Sequence, residues 1–150
     1  MKMTRRFAVG FATISVAATL AGYFMGALPA YAAPNDPKDF DQAAFAQAQK
    51  QGEPILIDIY ASWCDVCKRQ AVILDGLRKT PKYASLVTFR INYDTQKDLM
   101  RSFKATVQST LILYRGQAEV GRSVGETQPE WIDDLLSKTF EKQAPKVSTD

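Results

Sequence analysis

The chain has 150 residues, 46% of them apolar and 23% charged, the balance of one soluble domain with its own core rather than of a disordered segment. Its formal charge of +3 is carried by Lys2, Arg5 and Arg6. Beyond them 16 basic residues face 16 acidic ones, with no Lys/Arg run to grip a phosphate backbone, so nothing points to nucleic acid. There is no histidine, which removes the commonest general base and the commonest zinc ligand together and leaves thiols, carboxylates and backbone groups for chemistry.

Residues 1–32 begin with a basic cluster, continue uncharged from Phe7 to Ala32 and end in Ala30-Tyr31-Ala32, small residues at the two positions a signal peptidase inspects. The expectation is a signal peptide cut before Ala33 and a periplasmic location. The rival is an uncleaved anchor, since the uncharged stretch is long enough to cross a bilayer. Gly10, Gly22, Gly26 and Pro29 dilute its hydrophobicity and favour cleavage. With no cysteine near this run, a lipoprotein anchor is excluded. A membrane enters the reading only if this segment is retained.

Residues 33–39, with two prolines, read as a linker. Asp39 or Asp41 caps a helix through FDQAAFAQAQKQ, whose Phe40, Ala44, Phe45 and Ala48 share one face, and Gly52 stops it. ILIDIY (55–60) suits a strand buried on both faces. A second helix starts at the cysteine pair and ends at Thr80-Pro81. LVTFRINYD (86–94) is a strand and TQKDLMRSFK (95–104) a short helix with Thr95 as its cap. TLILY (110–114) and EVGRSV (119–124) form an antiparallel hairpin across Arg115-Gly116-Gln117. Thr127 caps the last helix, with Pro129 in its first turn and Trp131, Leu135 and Leu136 inward. Phe40, Phe45, Phe89, Phe103, Trp131 and Phe140 read as core. Residues 141–150 read as a flexible tail. Strand–helix–strand connections of this length call for parallel pairing with a right-handed crossover, and the hairpin adds antiparallel pairing. The fold class is α/β, a three-layer α/β/α sandwich with a mixed central sheet over residues 40–140.

The chain's two cysteines, in YASWCDVCKR (60–69), sit where a strand delivers them onto a helix start. Unpaired N–H groups and aligned peptide dipoles stabilise a thiolate there. A thiolate on Cys64 is poised to attack a disulfide, and Cys67, one turn later, can resolve the mixed disulfide. Two other readings stand beside this one. A structural disulfide closing so small a loop is a weak staple. A metal site needs about four ligands, which two thiolates supply only if two chains share them, or two soft thiolates could hold copper(I).

The chain resembles the thioredoxin family over residues 40–140. WCDVCK is similar to the family's W-C-x-x-C-K, and LIDIYASWC places Asp58 where the family keeps a buried carboxylate beneath the cysteines. TLILYRG and VGETQPEWIDDLL match its closing hairpin and last helix, although the usual first strand is not visible. The resemblance implies a thiol–disulfide oxidoreductase that reduces protein disulfides, with Cys64 as the more exposed attacking thiol and Cys67 as the buried resolving thiol. Asp58 would move protons to and from Cys67, its pKa raised by burial. Trp63, Asp65, Val66, Gln108, Ser109 and Thr110 would form the active-site rim. No organic cofactor and no metal is implied beyond a redox-active Cys64–Cys67 disulfide, and electrons would come from a membrane thiol-reductant donor. Lys68 and Arg69 read as a solvated helix face.

Two departures from the family pattern carry weight. Asp65-Val66 replaces Gly-Pro, and a carboxylate beside Cys64 opposes the thiolate, which points to a reductant. Family potentials run from about −270 mV for thioredoxin to about −120 mV for the strongest oxidant, and the reducing end is expected. Ser109, after Gln108, stands where the family has a cis-proline. A cis bond before a non-proline residue costs about 2.5–4 kcal/mol, so a trans loop is expected, with Gln108 and Ser109 offering polar groups to a particular client. The alternatives are a disulfide oxidant or isomerase, or a metal- or client-binding protein that uses the same fold.

Overall fold

The computed structural model describes residues 35–141; the signal-peptide reading of 1–32 and nearly all of the 141–150 tail lie outside the described residues. The linker reading of 33–39 misses one element, a two-residue strand β1 (Lys38–Asp39). Both residues are exposed, so no hydrophobic alternation marks the strand, and only its parallel ladder to Phe89 and Arg90 defines it.

Asp41 opens helix α1 (Gln42–Gln51), its Oδ1 accepting the N–H of Ala44 at 2.7 Å. Gly52 closes it with φ 73°, a left-handed conformation that favours glycine. Phe45 and Ala48 go inward and Phe40 packs against them, but Ala44 is exposed.

Strand β2 (Pro54–Tyr60) follows and lies at the centre of the sheet. On one side it pairs in parallel with β3 (Val87–Asn92), Asp58 opposite Arg90. On the other it pairs antiparallel with β4 (Thr110–Arg115), and β4 pairs with β5 (Ala118–Val124). With β1 on the far side of β3, the sheet is mixed and five-stranded, in the order β1-β3-β2-β4-β5. Gly116 makes the β4–β5 turn at φ 56°, where a Cβ would lie 3.1 Å from the Gln49 carbonyl oxygen.

Period-two alternation then sorts the two faces. Ile55, Ile57, Ile59, Phe89, Ile91 and Ile112 meet α1 and a short helix at Lys97–Ser102, α3 in chain order. Leu56, Leu111 and Leu113 meet helix α2 (Asp65–Arg78) and helix α4 (Pro129–Ser137), which contribute Leu74, Ile132, Leu135 and Leu136. Each such large apolar side chain contributes about 1.5–3 kcal/mol by leaving water. Asp58 shares the parity of Leu56, so it is a carboxylate on the α2 side of the central strand.

Three local expectations are corrected. Trp131 is 60% exposed, because α4 turns the stripe of Ile132, Leu135 and Leu136 inward and Trp131 lies about 100° away from Ile132. Gln128, not Thr127, is the N-cap of α4, and the Glu126 carboxylate accepts the N–H groups of Thr127 and Gln128. Gln96, not Thr95, precedes α3, and the Asn92 side chain accepts the N–H groups of Asp94 and Thr95. Phe45, Phe89 and Phe103 are core, with Phe40 and Phe140 half-buried around it.

Candidate functional site

Cys64 is the N-cap of α2. Its Sγ accepts the N–H of Cys67 at 3.1 Å, and its carbonyl accepts the N–H of Lys68. The sulfur therefore takes the place an Asp or Ser oxygen fills at most helix starts, facing one of the unpaired first-turn donors. Cys64 and Cys67 are joined as a disulfide, their Cα atoms 5.3 Å apart. Both are buried, Cys64 at 5% exposure and Cys67 at 1%.

The loop before β4 covers the pair. Ser109 lies with φ 58°, unusual for a residue with a Cβ, and the described residues contain no cis peptide bond, as expected for this loop. Its Oγ is 3.2 Å from the Cys64 Sγ and 3.4 Å from the Cys67 Sγ. Three bonds fix its backbone. The Ser109 N–H donates to the Ile59 carbonyl, and its own carbonyl accepts from the Gly125 N–H and the Gln70 Nε2. Thr110 is buried, with its hydroxyl donating to the Val107 carbonyl and closing the loop. Gln108 is half-buried.

Trp63 stands at the rim, more than half exposed. Its indole N–H donates to both oxygens of Asp94, and its ring meets Tyr93 edge-on at 6.0 Å. Val66, with Tyr60 and Tyr93, packs against the cysteines. Asp65 points to solvent and pairs with Lys68 at 3.1 Å, so its charge is neutralised in part before it acts on Cys64. Lys68 and Arg69 form an exposed face.

Asp58 is buried, and its Oδ2 accepts both Nε and Nη2 of Arg90, at 3.1 and 3.0 Å. Arg90 also lies over the Tyr60 ring, 4.3 Å from its centroid. Burial pushes the Asp58 carboxyl above its ordinary range, outweighing the attraction of Arg90. Among the described hydrogen bonds, none joins Asp58 to either sulfur.

Three participants escape a reading of the sequence: Arg90, Asp94 and Gln70. Gln70, 1% exposed on α2 one turn after Cys67, donates from Nε2 to the carbonyls of Ser109 and Glu126, while its Oε1 is buried without a partner. Its position on the buried stripe of Cys67 and Leu74 was the available signal: an amide among inward residues needs partners from elsewhere in the fold. Arg90 and Asp94 had no such signal, since both read as ordinary surface charges.

Comparison with known proteins agrees with this geometry. The family model described as Thioredoxin matches residues 36–138. The thioredoxin of Mycobacterium tuberculosis is 32% identical over 84 residues, covering 55% of this chain and 72% of that protein. The bifunctional thioredoxin reductase/thioredoxin of Mycobacterium leprae is 31% identical over 85 residues, 57% of this chain but only 18% of that protein. Among solved structures, Trxlp from Edwardsiella tarda is 48% identical with a TM-score of 0.65, covering 67% of this chain and 97% of that one. A mutant thioredoxin from Halobacterium salinarum shares the fold at 22% identity, with a TM-score of 0.62 over 75% of this chain and 98% of that one. The chain belongs to the thioredoxin family, and its Cys64–Cys67 pair is a thioredoxin-type thiol–disulfide redox centre of the protein-disulfide reductase kind.

Proposed function

We propose that the protein is an exported reductant of protein disulfides, working in the periplasm. The observation that carries the reaction is the seat of Cys64, a buried sulfur at the N-cap of α2 already accepting one backbone N–H. In the dithiol form the Cys64 thiolate attacks one sulfur of a client disulfide. The client S–S bond breaks, a Cys64–client bond forms, and the first client thiolate leaves. Cys67 then gives up its proton and attacks the Cys64 sulfur, forming Cys64–Cys67 and releasing the second client thiolate. Two electrons and two protons pass to the client.

Asp58 is the proton acceptor we assign to Cys67. A carboxylate of raised pKa without a competing histidine is the natural base, and Arg90 holds its Oδ2 in place. Trp63, Val66 and Gln108 form the rim a client meets, whereas Thr110 lies buried beneath it and closes the loop. Export is supported by the basic start, uncharged run and Ala30-Tyr31-Ala32 of the first 32 residues. Outside the cytoplasm the disulfide formed in each turnover needs a membrane thiol donor to reduce it.

Equilibration of the purified protein in glutathione buffers tests the direction. A potential near the thioredoxin end of the range, about −270 mV, supports a reductant, and one above the isomerase value of about −180 mV overturns it. Cell fractionation tests the compartment: recovery of a shortened chain in the periplasm supports export, and recovery with the cytosol removes it.

A further inference from the structure

We propose that the Ser109 hydroxyl is a catalytic hydrogen-bond donor to the Cys64 thiolate, setting how readily the pair is reduced. Its Oγ is within reach of both sulfurs, 3.2 Å from Cys64 and 3.4 Å from Cys67. A hydroxyl carries one proton and so serves one sulfur at a time. In the disulfide both sulfurs are weak acceptors and the choice matters little. Once the pair is reduced, one sulfur becomes an anion, and a buried anion takes a far stronger hydrogen bond than a neutral acceptor does. Cys64 is the sulfur that already faces the Cys67 N–H, so the hydroxyl adds a second donor to the same atom.

The donor is pre-aimed. Ser109 sits in a left-handed conformation that costs a residue with a Cβ, and it is held there from three sides. The Ile59 carbonyl takes its N–H, the Gly125 N–H binds its carbonyl, and so does Gln70 Nε2 from α2. Gln70 acts through Ser109 as a positioning residue, since it ties the loop to the helix that carries both cysteines. A surface serine would have to be ordered at the moment of reaction; this one is 5% exposed and already placed.

The charged side chains around the pair are committed elsewhere. Asp65 and Lys68 on α2 pair with each other, Asp94 after β3 binds the Trp63 indole, and Asp58 on β2 binds Arg90. Glu126 before α4 accepts the N–H groups of Thr127 and Gln128. The described hydrogen bonds to the Cys64 sulfur come from Cys67 N–H and Ser109 alone. The hydroxyl opposes Asp65: the carboxylate disfavours the thiolate, and the hydroxyl favours it and thereby the dithiol.

The proposal rests on the dithiol–disulfide reading of the pair and not on its direction or compartment. The test compares the wild-type chain with Ser109→Gly, which removes the hydroxyl while suiting the positive φ, and with Ser109→Ala. Thiolate ultraviolet absorbance against pH and alkylation by iodoacetamide report on Cys64; glutathione equilibration reports on the pair. In both variants the thiolate midpoint should rise, alkylation below that midpoint should slow about tenfold, and the equilibrium should move about tenfold toward the disulfide, about 30 mV more reducing. A Ser109→Gly protein that melts like the wild type and keeps its midpoint and equilibrium overturns the proposal. A wild-type protein that reduces no disulfide would strike the underlying reading instead, so the two failures are distinct.

Discussion

Asp58 and Arg90 face each other across the parallel pairing of β2 and β3, and the guanidinium gives two N–H bonds to a single carboxylate oxygen, Oδ2. The contact is one-sided in burial. Asp58 is almost wholly enclosed, whereas the Arg90 side chain keeps 29% of its surface in solvent and lies over Tyr60. The ion pair therefore offsets only part of the desolvation of Asp58, and the carboxyl is held above its ordinary range.

That direction fixes a pH dependence. A carboxyl whose folded pKa is raised favours the folded state most when protonated, below its unfolded value near 3.8, and disfavours it progressively as pH rises through the folded value. Asp58→Asn cannot ionise. Its stability relative to wild type should rise with pH from about 4 upward and level off once Asp58 is fully ionised. Urea midpoints of both proteins across that range check this, and a constant difference would contradict the raised pKa. Other carboxylates, including Asp75 and Asp133, which ion pairs hold low, are present in both proteins and cancel.

The assigned order of attack predicts an asymmetric pair of variants. Cys67→Ser leaves the attacking thiol and removes the resolving one, so it should accumulate a covalent Cys64–client disulfide. Cys64→Ser should form none, and its reduction of a disulfide-bonded test protein should fall by at least about a thousandfold. Non-reducing gels and turnover rates read both; trapping by Cys64→Ser instead of Cys67→Ser would reverse the roles.

The Asp65 carboxylate pushes the pair toward the reducing side, and its contact with Lys68 tempers that push. With the Asp65 side chain 79% exposed and the ammonium 3.1 Å away, the carboxylate acts on Cys64 through solvent and beside a neutralising charge. Asp65→Asn should lower the thiolate midpoint only slightly, changing the dithiol–disulfide equilibrium about twofold to threefold, and Lys68→Ala should move it the opposite way. Glutathione titration of both variants at low and high salt checks this, since a screened surface effect shrinks with salt.

Gln70→Met keeps the volume near that of glutamine but removes two donated hydrogen bonds and the unpartnered Oε1. Losing the bonds outweighs relief of the lone oxygen, and the cost should be about 1 kcal/mol. The local effect should exceed the global one. The Gly125 amide, bound to the Ser109 carbonyl, should exchange its hydrogen markedly faster, while amides of β2 change little. Exchange measured residue by residue distinguishes this from general loosening.

Much of the molecule follows from local pattern. Alternating apolar strands, capped helices, Gly52 and Gly116 at left-handed turns, and two cysteines at a helix start are short-range physics, and they suffice for the sandwich and the redox pair. What tertiary structure decided are features with no local signature. A two-residue exposed strand exists only because β3 pairs with it. Trp131 faces outward because one turn of α4 offers the core a single stripe, and neighbouring hydrophobic residues compete for it. Arg90 looks like an ordinary surface charge until the fold brings a buried carboxylate 32 residues away to it, and Gln70, marked as inward by its place on α2, finds its partners only in carbonyls of two loops 39 and 56 residues away. The closeness of the Ser109 hydroxyl to both sulfurs is of the same kind: 45 and 42 residues separate it from the cysteines, and only packing of the β4 loop over α2 closes that distance.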